Sequence, residues 1–212
     1  GLINGILVGI LGLDAFLTTM GTYIAFDGAT LLLKSFPIYD GFSDAYLNIG
    51  GLNYISIPSA LIILFLINFF LTKTPFGTHI YAVGGNHISS LMLGINTKLL
   101  YTAVYTISGV FAGLSALFYT GFIQAVPPGL ADGNVFLAFA GAIIGGISIT
   151  GGKGSMINAF AGIIFLGVVD AGLSMFNVTP YLRIVINGLL VIFAILLNKQ
   201  REKMIDRLLL PH

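Results

Sequence analysis

The chain is divided into a succession of apolar runs, each close to the length of a membrane-spanning helix. An α-helix needs about 20 residues to cross the ~30 Å hydrocarbon layer of a bilayer. The runs that are nearly free of charge cover residues 54–71, 99–121, 134–150, 157–177 and 182–197. This pattern predicts an all-α, polytopic helical membrane protein.

The composition excludes a soluble fold. Hydrophobic residues make up 57% of the 212 residues, charged residues only 8%, and the mean hydropathy is +1.00. A soluble domain carries about 25% charged residues to cover its surface, so the solvent of this chain is a lipid bilayer. The net charge of +1 gives no indication of a nucleic-acid partner, and cysteine is absent. We expect residues 1–212 to form a single transmembrane domain.

The N-terminal part is less regular than the rest. Residues 15–33 form a span that we expect to break at Asp27-Gly28, and residues 1–13 have the character of the end of another span. The total is then about six to seven membrane segments. The chain starts apolar, without an initiator Met or the basic leader of a signal peptide, so we expect it to be a fragment that lacks N-terminal spans.

The distribution of Lys and Arg predicts the orientation, because cytoplasmic loops carry an excess of both residues. If the C-terminal tail at 198–212 is cytoplasmic, alternating spans leave only Lys34 and Arg183 outside. The basic residues on the inside are then Lys73, Lys98, Lys153, Lys199, Arg201, Lys203 and Arg207. Residues 35–53 and 124–133 face out, and their Pro and Asp residues are suited to turns.

One polar segment stands out between two long apolar runs. It reads Gly77-Thr-His-Ile-Tyr-Ala-Val-Gly-Gly-Asn86, and Gly94-Ile-Asn96 follows shortly after. The packing of spans does not require such a segment, which by the orientation above belongs to a cytoplasmic loop at 73–98. The sequence therefore predicts that this loop binds a partner outside the membrane.

Glycines four residues apart recur in the spans. In lipid, small residues at this spacing let helix backbones approach closely, so the pattern predicts a tightly packed bundle. The repeats are Gly1-x3-Gly5-x3-Gly9, Gly109-x3-Gly113 and Gly141-x3-Gly145.

Residues that could carry chemistry are few. Gly152-Lys153 lacks the upstream Gly and the following Ser or Thr of a nucleotide-binding P-loop, and the surrounding residues 149–154 predict a tight turn instead. His79 and His87 are too few for a zinc centre, and no Ser/His/Asp set is present. We expect no catalysis, metal or cofactor in this chain.

Asp170 is the clearest intramembrane charge. A carboxylate in mid-span costs at least about 2.5 kcal/mol on insertion, so it should face the bundle interior or a water-filled path. Two interpretations stay open: a pathway or proton-coupling residue, or a polar group satisfied by Ser174, Asn187 or water.

These segments resemble the monosaccharide class of permeases of ATP-binding-cassette (ABC) importers, the ribose, xylose and arabinose type. The residues that carry the resemblance span essentially the whole chain. They are the loop Pro75–Asn86 with Gly94-Ile-Asn96, the early blocks at 1–8 and 16–22, the Gly-Gly-Lys-Gly block at 144–154, and the final hairpin from Gly167 through Leu173 to Tyr181.

The resemblance implies a non-catalytic permease in the cytoplasmic membrane of a prokaryote, paired with a second permease copy. Two ATPase subunits would bind below and an extracytoplasmic substrate-binding protein would dock outside. It also implies that the loop enters a cleft of the ATPase as a short coupling helix, through Ala82, Val83, Gly84, Gly85, Asn86, Gly94 and Ile95. Polar groups that we expect to face the translocation pathway are Thr18, Thr19, Thr22 and Asp170.

The sequence departs from the family pattern at two places. Val135-Phe-Leu137 stands where these permeases commonly have a Glu-Leu-Asp type triplet, and Asp27 stands where they often have Arg. The resemblance therefore favours a monosaccharide as the solute, while nucleosides and other small polar solutes stay open. An ion-coupled secondary transporter that uses Asp170 and a membrane-embedded enzyme are the rival classes, although inverted repeats and a cluster of catalytic side chains are both missing from the sequence.

Overall fold

The computed structural model describes residues 1–33, 36–39, 41–51, 53–131 and 133–209. The chain divides into two compact units, one formed by Gly1–Leu66 with His87–Leu130 and the other by Ile67–Asn86 with Ala131–His212. The described helices are α1 (Leu2–Gly5), which continues as a π-helical turn over Ile6–Ile10, α2 (Ala15–Leu33), α3 (Asp44–Gly51), α4 (Asn53–Lys73), α5 (Pro75–Gly85), α6 (His87–Met92), α7 (Thr97–Ile123), α8 (Asn134–Ile144), α9 (Met156–Met175) and α10 (Pro180–Leu209).

Within the first unit, α1 and its π-helical turn pack on α7 through the predicted glycine repeat Gly1-x3-Gly5-x3-Gly9, here called the glycine stripe. A Cβ atom added to Gly5 would lie 2.8 Å from the carbonyl oxygen of Thr102, and one added to Gly9 would lie 2.7 Å from that of Lys98. The hydroxyl of Thr102 donates to the carbonyl oxygen of Gly5 at 2.9 Å. The stripe therefore allows a close backbone approach that an interhelical hydrogen bond stabilises, as is usual in lipid.

Helix α3 also packs on α7, at the opposite end of that helix. Gly50 of α3 faces Gly121 of α7, and a Cβ atom on Gly121 would lie 3.0 Å from the Cα atom of Gly50. The hydroxyls of Tyr46 and Thr120 are hydrogen-bonded to each other. The outward-facing segment predicted at residues 35–53 is therefore not all loop, because α3 occupies Asp44–Gly51.

Within the second unit, α8 and α9 form an antiparallel hairpin whose crossing consists of glycines. A Cβ atom on Gly162 would overlap the carbonyl oxygen of Gly141 and lie 2.6 Å from the amide nitrogen of Gly145. Ala159 is buried at the same crossing, and its Cα atom would lie 2.8 Å from a Cβ atom added to Gly145. The third predicted glycine pair, Gly141 and Gly145, is thus a helix-packing surface. Helix α10 packs on α8.

Two sequence-based boundaries are wrong. Helix α2 runs unbroken through Asp27-Gly28, where the Thr30 hydroxyl donates to the Asp27 carbonyl oxygen at 2.7 Å; a glycine weakens a helix by only about 1 kcal/mol. The predicted span at 134–150 stops as a helix at Ile144, because Gly146 adopts a φ of 90°. Such a φ favours glycine and terminates a helix.

Four described helices are long and apolar enough to cross a membrane: Ala15–Leu33, Ile55–Lys73, Thr97–Ile123 and Met156–Met175. The shorter apolar helix Asn134–Ile144 has 11 residues. Helix α10 continues the last predicted span to Leu209, so the predicted tail is helical to that residue. Residues 210–212 of the tail lie outside the described residues. The chain is an all-α, polytopic membrane protein, as predicted.

Candidate functional site

The predicted loop at 73–98 consists mostly of two short helices. Helix α5 begins where the Thr74 hydroxyl accepts a hydrogen bond from the Gly77 amide at 3.3 Å, and Pro75 occupies the first helical position. Both features are favourable at a helix N-terminus, since proline there removes an amide that would have no partner. The segment is therefore an ordered element.

The C-terminal end of α5 contacts the turn that joins α8 to α9. A Cβ atom on Gly84 would lie 2.5 Å from the amide nitrogen of Gly152, and one on Gly152 would lie 2.5 Å from the amide nitrogen of Gly85. One on Gly151 would lie 2.8 Å from the carbonyl oxygen of Gly84. We call this contact the glycine junction. It brings together two blocks that are far apart in the sequence.

The turn at 145–154 has the backbone that this contact requires. The Ser148 amide donates to the carbonyl oxygen of Lys153 at 3.0 Å, which closes the turn. Gly151, Gly152 and Gly154 have φ values of 94°, 70° and 134°, a region that residues with a Cβ atom rarely adopt. The prediction of a tight turn here is confirmed.

Tyr81 adds a side-chain contact beside the glycine junction. Its hydroxyl donates to the carbonyl oxygen of Gly154 at 3.1 Å. This hydrogen bond and the glycine junction hold α5 to the same turn at two positions, about one helical turn apart on α5.

Helix α6 belongs to the first unit and is anchored to the start of α7. The Ile95 amide donates to the Ser90 carbonyl oxygen at 3.1 Å, and Ser90 is only 2% exposed. The ring of His87 stacks on that of Tyr101 with 6.1 Å between centroids. Gly94, with a φ of 79°, makes the turn between the two helices.

The outer face of α6 is apolar and exposed. Ile88 and Met92 lie one helical turn apart and are 67% and 84% exposed, and Leu93 is 77% exposed. Leu91 is also exposed. The sequence-based interpretation missed these side chains, although the spacing of Ile88, Leu91 and Met92 is the pattern of one apolar helix face. Large apolar groups that project from a short helix indicate a partner surface.

The predicted coupling residues occupy different environments. Ala82, Val83, Gly84, Gly85 and Asn86 lie at the end of α5 in the second unit, whereas Gly94 and Ile95 lie in the α6–α7 turn of the first unit. Gly85, Asn86 and Gly94 are exposed, and a Cβ atom on Gly85 would meet nothing within 4 Å. Val83, by contrast, is only 4% exposed.

The predicted pathway threonines line up on α2. Thr18, Thr19 and Thr22 are each half-buried. The hydroxyl of Thr19 donates to the carbonyl oxygen of Ala15 at 2.8 Å, and that of Thr22 donates to the carbonyl oxygen of Thr19 at 3.0 Å. A hydroxyl that donates within its helix keeps acceptor capacity for another group.

Asp170 lies on α9 in the second unit and is half-buried. The Nε atom of Arg183 donates to the carbonyl oxygen of Val178 at 3.1 Å in the α9–α10 turn. In the described part of the chain, no three His, Asp or Glu side chains are grouped so that they could hold a metal ion.

These features define a multi-pass membrane protein with an ordered polar segment between two spans. A family model described as "Branched-chain amino acid transport system / permease component" matches residues 1–195. The chain belongs to this family of membrane permeases, which confirms the permease family indicated by the sequence.

Several characterised permeases are similar to the chain. The D-allose transport system permease protein of Escherichia coli is 36% identical over 207 residues, which are 96% of this chain and 64% of that protein. The galactose/methyl galactoside import permease protein of the same organism is 32% identical over 93% of this chain and 62% of its own length. The ribose import permease protein of Bacillus subtilis is 27% identical over 94% of this chain and 64% of its own length. The chain thus spans somewhat less than two thirds of each relative. No solved structure matches it.

Proposed function

We propose that the chain is part of the membrane-spanning permease subunit of an ABC importer that carries a monosaccharide. The observation that carries the proposal is α6, a six-residue helix between two spans on which Ile88, Leu91 and Met92 form an exposed apolar face. An apolar face of this kind fits a groove on a partner. In an ABC importer that partner is a separate ATPase subunit, so ATP hydrolysis would not take place on this chain.

The partner surface would include the predicted coupling residues that are exposed. Gly85 and Asn86 would contact the ATPase directly, as would Gly94 beside α6. Ala82, Val83, Gly84 and Ile95 would act by positioning them, since Val83 is buried and Gly84 faces Gly152. This division refines the sequence-based set, in which all seven residues have the same role.

The orientation follows from the same proposal. The segment at 73–98 and the tail at 198–212 would face the cytoplasm of a prokaryote, in line with the distribution of Lys and Arg. The substrate-binding protein would then dock on the opposite side, and a second permease copy would complete the membrane-spanning pair.

The pathway would be lined by Thr18, Thr19, Thr22 and Asp170. Hydroxyls and one carboxylate can exchange hydrogen bonds with the hydroxyls of a sugar without holding it tightly.

The assignment to a monosaccharide is supported by the relatives, whose names specify D-allose, galactose and ribose. The family description itself specifies branched-chain amino acids, so labelled leucine is the alternative substrate to test in the same uptake assay.

Affinity capture of the full-length protein from its native membrane tests the proposed partner. Mass spectrometry should recover a P-loop ATPase in stoichiometric amount from the wild type. Gly85→Trp should lose it, because the indole would project from an open position into the partner. Met92→Asp should lose it as well, because it places a charge in an apolar contact.

Gly167→Trp is the matched control, since Gly167 is another helical glycine with nothing within 4 Å of an added Cβ atom. It lies on α9, outside the 73–98 segment, and should retain the ATPase. Capture of the permease without any ATPase would refute the proposal. Equal ATPase recovery from Gly85→Trp, Met92→Asp and the wild type would refute the assignment of the surface.

A further inference from the structure

We infer that Tyr81, Gly84 and Gly152 are positioning residues that make α5 and the turn between α8 and α9 one rigid body. The part of the inference that concerns transport rests on the proposed function. If α5 moves with the ATPase, the α8–α9 hairpin moves with α5, and Asp170 on α9 moves too.

The first support is that backbone atoms make the closest approach in the contact. Gly84 and Gly152 meet backbone to backbone, and an added Cβ atom on either would lie 2.5 Å from an amide nitrogen of the other segment. Close-packed atoms have low compressibility, and they transmit a displacement from one segment to the next. The glycine junction is therefore a stiff contact.

The second support is the conformation of the turn. Gly151, Gly152 and Gly154 all have positive φ values, and the hydrogen bond from the Ser148 amide to the Lys153 carbonyl oxygen closes the turn. The turn keeps its shape through its own backbone, so a displacement of α5 is passed to its two ends. These ends lead directly into α8 and α9.

The third support is the hydrogen bond from the Tyr81 hydroxyl to Gly154, at 3.1 Å. It lies about one helical turn before Gly84. A single contact would leave α5 free to pivot on the turn, whereas two contacts along one helix prevent rotation. Tyr81 therefore acts as a positioning residue for the segment.

A distance measurement between spin labels tests the rigid body in the full-length protein. The labels are placed through Thr78→Cys on α5 and Lys153→Cys in the turn, two exposed positions in a stretch of sequence without cysteine. Without any partner, we expect one narrow distance distribution.

Gly152→Ala should shift or broaden this distribution, and Tyr81→Phe should broaden it less. Gly133→Ala is the control, because Gly133 also has a positive φ, of 81°, but an open Cβ position. A distribution for Gly152→Ala identical to that of the control would overturn the inference.

A second arm adds the ATPase subunits with and without ATP and vanadate. The rigid body predicts the same label distance in both states, and a distance that changes with nucleotide would overturn it. If no ATPase subunit binds, the proposed function fails, while the partner-free arm still decides whether the glycine junction is rigid.

Discussion

The glycines of the α8–α9 crossing and those of the glycine junction both bring two backbones into contact, but they do so in different local structures. Gly141 and Gly162 lie within regular helices and Gly145 is the C-cap of α8, at positions where small residues let helices pack in lipid. Gly151 and Gly152 lie in a turn at positive φ and meet the end of α5. The first contact stabilises a bundle, and the second determines where one segment lies on another. The two contacts should therefore respond differently to added atoms.

The largest effect is expected at the helix crossing. Gly162→Leu would place a side chain against the backbone of α8, and overpacking of this kind destabilises by about 3 kcal/mol. We expect a lower melting temperature and less monodisperse full-length protein in detergent. Gly167→Leu on the same helix is the control, because an added Cβ atom there meets nothing within 4 Å. Equal melting temperatures of the two variants would contradict the close packing of Gly162 against α8.

A smaller effect is expected at the glycine junction. Gly84→Ala should destabilise the protein by about 1–2 kcal/mol, because its methyl group would displace the turn at Gly152. Its neighbour gives the sharpest control, since Gly85→Ala has an open position and gains helix propensity. Thermal unfolding should rank Gly85→Ala at or above the wild type and Gly84→Ala below it. The reverse order would show that Gly84 is not packed.

Tyr81→Phe should have a still smaller effect on stability, about 1 kcal/mol, because it removes one hydrogen bond and leaves the ring in place. Hydrogen exchange should increase at the amides of the turn at 148–154. Tyr119→Phe is the control, since in the described part of the chain the Tyr119 hydroxyl forms no hydrogen bond. Unchanged hydrogen exchange at the turn amides would show that the Tyr81 hydroxyl does not help to hold the turn.

The smallest effect is expected at the start of α5. Thr74→Ala removes the cap on the Gly77 amide and should cost about 0.5 kcal/mol, near the low end for such caps. Exchange should increase at that amide alone. In Thr78→Ala the lost hydroxyl donates only to the Pro75 carbonyl oxygen, so exchange at Gly77 should stay at the wild-type rate. Equal exchange in both variants would refute the cap.

The spans were predictable because an apolar run of about 20 residues has few alternatives to a membrane helix. The start of α5 could also be predicted from the sequence, since Thr74-Pro75 is a typical helix N-terminus. The end of α8 was harder to predict, because residues 145–150 stay apolar and glycine-rich after the helix stops at Ile144. Hydropathy reports the environment of a residue, and it does not report the φ of Gly146.

The glycine junction could not be predicted from spacing. The two blocks at 84–85 and 151–152 are each visible in the sequence, but only the folded chain shows that their backbones touch. The apolar face of α6 could have been found from the spacing of Ile88, Leu91 and Met92. The polar residues around them concealed it, since Ser89 and Ser90 give the segment the composition of a loop.

The most direct test of the central claim is uptake of labelled D-allose, galactose and ribose by intact cells that express the full-length protein with the products of its neighbouring genes. The energy source is varied by depleting ATP in one sample and by collapsing the proton gradient with a protonophore in another. An ABC importer predicts that uptake of at least one of these sugars stops on ATP depletion and continues with the protonophore. Uptake that survives ATP depletion and stops with the protonophore would contradict the account and make Asp170 the coupling residue of a secondary transporter.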